Sequence, residues 1–354
     1  MILIVFLKKT EFHLRDLSSL RKGSRLTVLG RQLLMVDYAD DVTRSALEKV
    51  QAESTLALIK PDAYESIGHI LGIAIRSGLQ IRNLKMHKLT RQQCERFYQE
   101  HCEKSFFPLM IDYISSDVVV AIELIGENAV AHWRELIGPT NSIEAREIRP
   151  DSIRAKFGVD ETKNAVHGSD SRSSAARELE FFFNAQMESA TTAVCDNCAL
   201  LLIKPSFVNT KSGEILTMLL ANQFEISALE MVTLDLKTAE EFYEVYKGIL
   251  PEVRDVTCDI SSGPVLVAEI RQENVVPRLR SLVGPLDPAV ARHIYPQSIR
   301  AKFGIDRVQN AVHCTDLEDD GVLECRFFFK ILKANYCNFL CVVLHKLSTI
   351  CYGH

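Results

Sequence analysis

The chain has 354 residues, 47% of them hydrophobic and 25% charged, with a formal net charge of −5. That length accommodates two or three domains with sizeable cores, and the mild acidity argues against nucleic acid as the main partner. No segment reaches the roughly 20 apolar residues of a membrane helix, the nearest being the run from Phe339 to Leu344, which His345 and Lys346 follow.

The apolar opening from Met1 to Leu7 has no positive region before it and runs straight into Lys8 and Lys9, so no secretory signal pattern is expected. Ten cysteines are scattered without a framework. Reduced thiols and an intracellular chain are the expectation. Cys195-Asp196-Asn197-Cys198 is a lone C-x-x-C, a weak metal or redox signal without a second pair.

Residues 1–50 read as a partial β-rich module, with strands predicted over Ser24–Gly30 and Gln32–Tyr38 about a glycine turn. So short a piece makes a marginal core alone and is expected to pack on its neighbour or to be incomplete.

From residue 54 onward the chain is written twice. A buried strand is predicted at Thr55–Ile59 before Lys60-Pro61-Asp62, and again at Leu200–Ile203 before Lys204-Pro205-Ser206. Helical patterns follow over Ile67–Ser77 and Gly213–Asn222, then strand-like alternation over Leu79–Leu89 and Phe224–Leu234. Thr90 with Gln93, and Thr238 with Glu241, read as capping boxes opening helices that carry Phe97-Tyr98 and Phe242-Tyr243. Strands over Val118–Leu124 and Val265–Ile270 each lead into a helix ending at Gly138-Pro139 or Gly284-Pro285. A late strand is expected at Glu180–Phe183 and at Cys325–Phe329, unless either run closes a helix. This order fits an α+β, split βαβ sandwich in each copy.

About two dozen residues with little regular pattern lie between each Gly-Pro and the histidine of the most closely repeated stretch. Ser152-Ile153-Arg154-Ala155-Lys156-Phe157-Gly158 and Asn164-Ala165-Val166-His167-Gly168-Ser169-Asp170 return as Ser298 to Gly304 and Asn310 to Asp316. The histidines stand 146 positions apart (313 − 167) and so do the arginines (300 − 154), a repeat of whole-domain size. The domains are therefore drawn at 54–184 and 197–332, with a linker at 185–196 and a tail at 333–354 that resembles neither copy.

The first copy holds Lys60, Tyr98, Arg134, Thr140, Arg154, Asn164, His167, Ser169 and Glu178. Three cations and a threonine suit a triphosphate, because phosphoryl transfer needs positive groups on non-bridging oxygens and an in-line nucleophile. His167 is the one candidate nucleophile repeated with its surroundings, and Glu178 lies eleven residues on, as Glu324 does from His313. Such a carboxylate is expected to accept from the imidazole Nδ1–H and leave Nε2 to attack. No G-x-x-x-x-G-K-[ST] loop and no H-R-D or D-F-G set is present, so side chains would hold the phosphates.

Ile59-Lys60-Pro61-Asp62-Ala63, followed by Asn164-Ala165-Val166-His167-Gly168-Ser169-Asp170-Ser171, resembles the signature of nucleoside diphosphate kinases. Two copies behind a short module resemble the family's two-domain, microtubule-associated branch, whose N-terminal module occurs in axonemal proteins. The resemblance implies tandem ferredoxin-like βαββαβ domains and a ping-pong transfer of the γ-phosphate of ATP or another nucleoside triphosphate, through His167, to a nucleoside diphosphate. It implies Phe106 stacked on the base with Met110 beside it, and Lys60 and Asn164 on sugar and phosphates. Tyr98 and Lys60 would position the γ-phosphate, and Arg134, Thr140 and Arg154 would bind phosphate oxygens bridged by Mg²⁺. Ser169 and Glu178 would orient His167. Tubulin and axonemal or centrosomal proteins are the implied partners, in the cytoplasm on the cytoskeleton of cilium or centrosome, with no nucleic acid and no membrane.

The second copy matches at Lys204, Tyr243, Arg280, Arg300, Asn310, His313 and Glu324, but Leu286 stands for the threonine, Cys314-Thr315 for Gly-Ser, and Glu252 or Val253 for the stacking phenylalanine. A weak second site is expected, since a lost donor and ring together cost a few kcal/mol of binding. The alternative reading is a structural microtubule scaffold with residual catalysis, and a third is histidine autophosphorylation used for signalling. Either the family's usual hexamer or a pseudo-dimer of the two copies is open.

Overall fold

The structure, a computed structural model, describes residues 25–28, 31–38, 53–183 and 191–332. The expectations for residues 1–24 and 39–50, for the first half of the linker and for the tail lie outside these. Strands β1 (Arg25–Val28) and β2 (Arg31–Leu34) pair antiparallel as a hairpin, shorter than the sequence pattern predicts.

Each repeat then folds as an α+β ferredoxin-like unit. In the first, β3 (Glu53–Ile59) runs into Lys60 and a 3-10 turn opened by Pro61, whose missing N–H needs no partner there. Helix Ile67–Arg76, β4 (Gln80–His87), helices Arg91–Phe97 and Phe107–Ile114, β5 (Val119–Gly126) and helix Ala129–Ile137 follow. β6 (Val166–Gly168) and helix Arg172–Phe183 close the unit. The second repeat has β7 (Cys198–Ile203), β8 (Glu225–Thr233), β9 (Pro264–Arg271) and β10 (Val312–Cys314) in the same roles.

The late strand is therefore the histidine segment itself. The Phe-rich runs expected as strands are helical, the second passing from helix Asp320–Arg326 into a π turn over Phe327–Ile331. Buried Phe182 and Phe328 pack those helices onto the sheet. The stretches expected to be irregular hold short helices, Ser142–Ile148 and Ile153–Phe157 in one copy, Pro288–Ile294 and Ile299–Phe303 in the other. Ser152 and Ser298 cap the second of each pair. The Thr90–Gln93 capping box is formed, whereas Asp235 and not Thr238 caps helix Leu236–Phe242, its carboxylate accepting from the Thr238 N–H. The second repeat's first helix spans Pro205–Ala221, longer than the pattern predicts and kinked at Asn209.

The two units join as a pseudo-dimer in one eight-stranded sheet of order β10-β7-β9-β8-β4-β5-β3-β6. The edges β4 and β8 meet antiparallel at Lys85 and Glu230, so each copy covers the other's exposed edge. On one face helices Ile67–Arg76 and Pro205–Ala221 pack together, and their apolar residues share one core cluster that includes Ile70, Leu71, Ile215, Leu216 and Leu219.

Reciprocal clamps tie the halves. The Tyr64 hydroxyl accepts from the Ile226 N–H (2.6 Å) and donates to its carbonyl (3.1 Å), while the Asn209 amide bonds the N–H (2.6 Å) and carbonyl (3.1 Å) of Ile81. Both targets sit where the strand register shifts, at Ile81/Asn83 and Ile226/Ala228, so side chains satisfy backbone groups that the ladder leaves unpaired. This is the isologous pattern of a two-fold dimer, written within one chain.

Gly213 sets how closely the two helices approach. A Cβ there would lie 2.5 Å from the Gly72 nitrogen and 2.8 Å from the Gly68 carbonyl oxygen. Gly213→Leu is expected to force the domains apart and lower stability by about 1–3 kcal/mol, measured as a shifted denaturation midpoint; a loss below about 0.5 kcal/mol would mean the helix contact carries no packing load.

Candidate active site

His167 lies at the centre of β6, the outermost strand, paired with Leu58 of β3. Its carbonyl accepts from Trp133 Nε1 at 3.3 Å. Behind the ring, Glu178 projects from helix Arg172–Phe183 and is almost fully buried. One Glu178 oxygen lies 3.1 Å from His167 Nε2 and accepts from Ser169 Oγ at 2.6 Å. A carboxylate accepts, so the imidazole hydrogen belongs on Nε2 and the lone pair on Nδ1. The sequence expectation had these nitrogens reversed. Glu178 approaches from the closing helix, beyond the ring, and meets the nitrogen farther from the backbone. Phe97 and Tyr98 hold the ring edge-on, with centroids at 5.7 and 6.1 Å.

Two residues before the histidine, Ala165 adopts a left-handed φ of +64°, which costs a residue with a side chain about 1 kcal/mol. Its N–H donates to Asp62 Oδ2 (2.9 Å) and its carbonyl accepts from the Lys60 N–H (2.8 Å), so the I-K-P-D turn holds the bend. Ala311 repeats it at +73°.

In front of the histidine opens a cleft of about 440 Å³. Lys60 Nζ donates to Asn164 Oδ1 at 2.7 Å and to the Thr162 carbonyl at 3.2 Å. Burial, with the charge of Arg154 adding, pushes Lys60 down to about 8. Arg154 donates to the carbonyls of Gly138 (2.8 Å) and Val166 (3.1 Å), and burial lowers it to about 10. Asn164 Nδ2 donates to the Thr140 carbonyl at 2.9 Å, placing that threonine at the wall. Arg134 has no carboxylate partner among the described residues. The buried Tyr98 hydroxyl has no hydrogen-bond partner among the described residues, and burial raises it far above the usual phenol range, keeping it a donor. Phe106 stands half exposed at the rim with Met110 buried beneath it, a platform for a planar ring.

Every first-copy residue singled out from the sequence lines this cleft except Ser169, which sits behind it on Glu178. Sequence reasoning gave no role to Asp62, Tyr113 or Asp170. The signal for Asp62 and Asp170 lay in the motifs themselves; Tyr113, which donates to the Asp62 carboxylate, had none.

The second cleft is wider, about 610 Å³, and is lined by Lys204, Tyr243, Arg280, Arg300, Asn310 and His313. Glu324 meets His313 Nε2 at 3.0 Å. Thr315 replaces Ser169 without loss, donating to Glu324 and accepting from the Leu200 N–H at 2.8 Å. The cations differ. Lys204 pairs with buried Asp259, which stands where Tyr113 does, at 3.7 Å. Arg307 binds Glu252 at 2.8 Å, and Glu252 occupies the Phe106 position. Arg280 binds Asp316, which also accepts from Tyr246. In the first copy the matching Asp170 accepts from Ser174 at 2.5 Å. Leu317 and Asp320 replace Ser171 and Ser174, so Asp316 has lost its serines and turns to the arginine.

A ferredoxin-like α+β domain with an oriented histidine before a cluster of cations defines a phosphate-handling class. The nucleoside diphosphate kinase family model matches residues 53–187 and 197–333, and the chain belongs to this family. It is 43% identical over 330 residues to Nucleoside diphosphate kinase homolog 7 of Rattus norvegicus, spanning 92% of this chain and 83% of that protein. It is 48% identical over 134 residues to the Nucleoside diphosphate kinase of Aquifex aeolicus, covering 37% of this chain and 94% of that protein. Thioredoxin domain-containing protein 6 of Xenopus laevis is 35% identical over 285 residues, 80% of this chain and 44% of that protein.

If Asp316 blocks an anion, Asp316→Asn should tighten ADP binding at the second cleft by about two- to fivefold, the scale of an exposed ion pair. Titration in a chain whose first cleft is weakened by Arg134→Ala and Thr140→Ala would read it; unchanged affinity would acquit the aspartate.

Proposed function

We propose that the first domain transfers the γ-phosphate of a nucleoside triphosphate to a nucleoside diphosphate through a phosphohistidine at His167. The observation that supports this reading is the Glu178 contact at Nε2, which leaves the Nδ1 lone pair beside Lys60, Arg154 and Arg134. Nδ1 attacks the γ-phosphorus in line; the bond to the bridging oxygen breaks and its electrons leave with the diphosphate. Positive charge builds on the ring and is met by Glu178 through Nε2–H. In the second half-reaction the terminal oxygen of an acceptor diphosphate attacks phosphorus, and the P–N bond electrons return to Nδ1.

Lys60, Arg134 and Arg154 face the phosphate oxygens, Thr140 and Tyr98 supply hydroxyl donors, and Phe106 offers a face that any base can stack on. Magnesium, when bound with the nucleotide, would neutralise phosphate charge. The donor set fits: Asp170 lines the cleft, and Ser174 and Ser171 hold it below the usual carboxylate range, so it stays ionised.

The second domain, with Lys204 and Arg280 already paired to carboxylates, supports a scaffold role beside this chemistry. Attachment to tubulin with axonemal or centrosomal proteins, in the cytoplasmic cytoskeleton of cilium or centrosome, rests on the resemblance to the two-domain branch and would be tested by co-pelleting with microtubules.

Incubation with γ-labelled ATP and then GDP tests the catalytic reading. Acid-labile label on His167 should pass to GDP; His167→Ala should abolish nearly all transfer, and His313→Ala should leave most of it. Loss in His313→Ala equal to that in His167→Ala would defeat the assignment.

Lys60 adds a pH dependence. Its folded value of about 8 lies below the free value of 10.5, so the free domain loses this charge as pH rises through about 8. Because kcat/KM reports the free enzyme, it should decline above that pH, and Lys60→Arg should move the decline higher. A profile flat to about pH 10 would remove Lys60 from substrate binding.

A further inference from the structure

The C-x-x-C segment takes no part in phosphate chemistry, yet the fold brings further ligands to it. The sulfurs of Cys198 and Cys325 and a carboxylate oxygen of Glu269 lie within 4.8 Å of one another, and all three residues are buried. Cys195 is buried next to this group though its sulfur is not among the three within 4.8 Å, so it would turn inward to become a fourth ligand; its thiol now bonds Lys330 and feels the charge of Glu269. The N–H groups of Val194 and Cys195 donate to the two Glu269 oxygens at 2.7 and 2.6 Å, folding the C-x-x-C turn over the carboxylate.

The other copy shows what is missing. There the matching Glu123 accepts from Ser54 at 2.8 Å and has Arg82 at 3.6 Å. In the second copy Cys198 replaces that serine, Ser227 replaces the arginine, and Cys325 replaces Leu179. Glu269 is fully buried, and among the described residues no cation stands within ion-pair distance of it. The two backbone N–H donors compensate this buried carboxylate in part, and a bound cation would supply the counter-charge they lack. Three thiols and one carboxylate are a donor set suited to zinc, with a C-x-x-C turn supplying two sulfurs.

We propose that Cys195, Cys198, Cys325 and Glu269 form a structural zinc site. On binding, the three thiols release their protons to solvent and their sulfurs bond the metal. The ion fastens helix Asp320–Arg326 to the start of β7. Glu324, the partner of His313, is the residue before Cys325, so the site also fixes the back wall of the second cleft.

The test uses the full chain, purified under reducing conditions and analysed for metal. About one zinc per chain is expected, lost in Cys198→Ser and Cys325→Ser and kept in Cys258→Ser, a cysteine that is exposed. His167 labelling from ATP in the same variants reports whether the first domain remains folded. As a second measurement, cobalt added to the metal-free wild-type chain should give thiolate-to-cobalt charge-transfer bands and tetrahedral d–d bands. Absence of zinc together with absence of those bands would overturn the site. So would a Cys198–Cys325 disulfide in the reduced preparation, or equal zinc in Cys198→Ser.

Discussion

The contact between Glu178 and His167 is where fold and chemistry coincide. The carboxylate is withdrawn from water and accepts from both the ring and Ser169, so its charge is compensated by hydrogen bonds that also fix the tautomer. Helix Arg172–Phe183 can close over the sheet only if that buried charge is satisfied. The last helix of the domain is thus fastened at His167. The second copy keeps the same three-part contact with Thr315 in the serine's place, even though its cleft has changed.

What diverged is the front of the cleft. The backbone frame is common to both, down to the left-handed alanines and the arginine held by two carbonyls, in the second copy those of Gly284 (2.8 Å) and Val312 (3.1 Å). Around that frame, carboxylates have come to rest on Lys204 and Arg280, whose first-copy counterparts Lys60 and Arg134 have no carboxylate within ion-pair distance among the described residues. Such pairs form locally, from a lost serine or a tyrosine exchanged for aspartate, without disturbing the core. His313 is also more enclosed, its side chain 6% exposed against 22% for His167. The two copies thus share a backbone frame and differ in the charge pairing at the mouth of the cleft.

Much of this was legible in the sequence where a residue's role is local. The buried strands before Lys-Pro, the Thr90 capping box and the Gly-Pro helix ends follow from turn and capping chemistry, and the first-copy site residues other than Ser169 gather at one cleft. The late strand was misread because three residues of β6 give no alternation, while Phe181-Phe182-Phe183 has the β-propensity of a strand and is helical through tertiary packing. The histidine nitrogens were reversed because sequence spacing fixes that Glu178 reaches the ring, not from which side. The cap at Asp235 and the pairing of Arg280 with Asp316 depend on which of several close donors wins in three dimensions. Spacing does not carry that information.

The duplication also bears on how the copies can work together. The two histidines lie on the outermost strands β6 and β10, seven strand steps apart; at ~4.8 Å per step that is on the order of 30 Å. No nucleotide spans both, so neither cleft can complete the other. What the copies share is the central seam, where edges, glycine-bearing helices and the Tyr64 and Asn209 clamps interlock. A domain that gives up catalysis remains bound by that seam, because its loss would expose the β4 edge and the apolar face of helix Ile67–Arg76. The second copy therefore has a structural role at the seam that does not depend on the chemistry of its cleft.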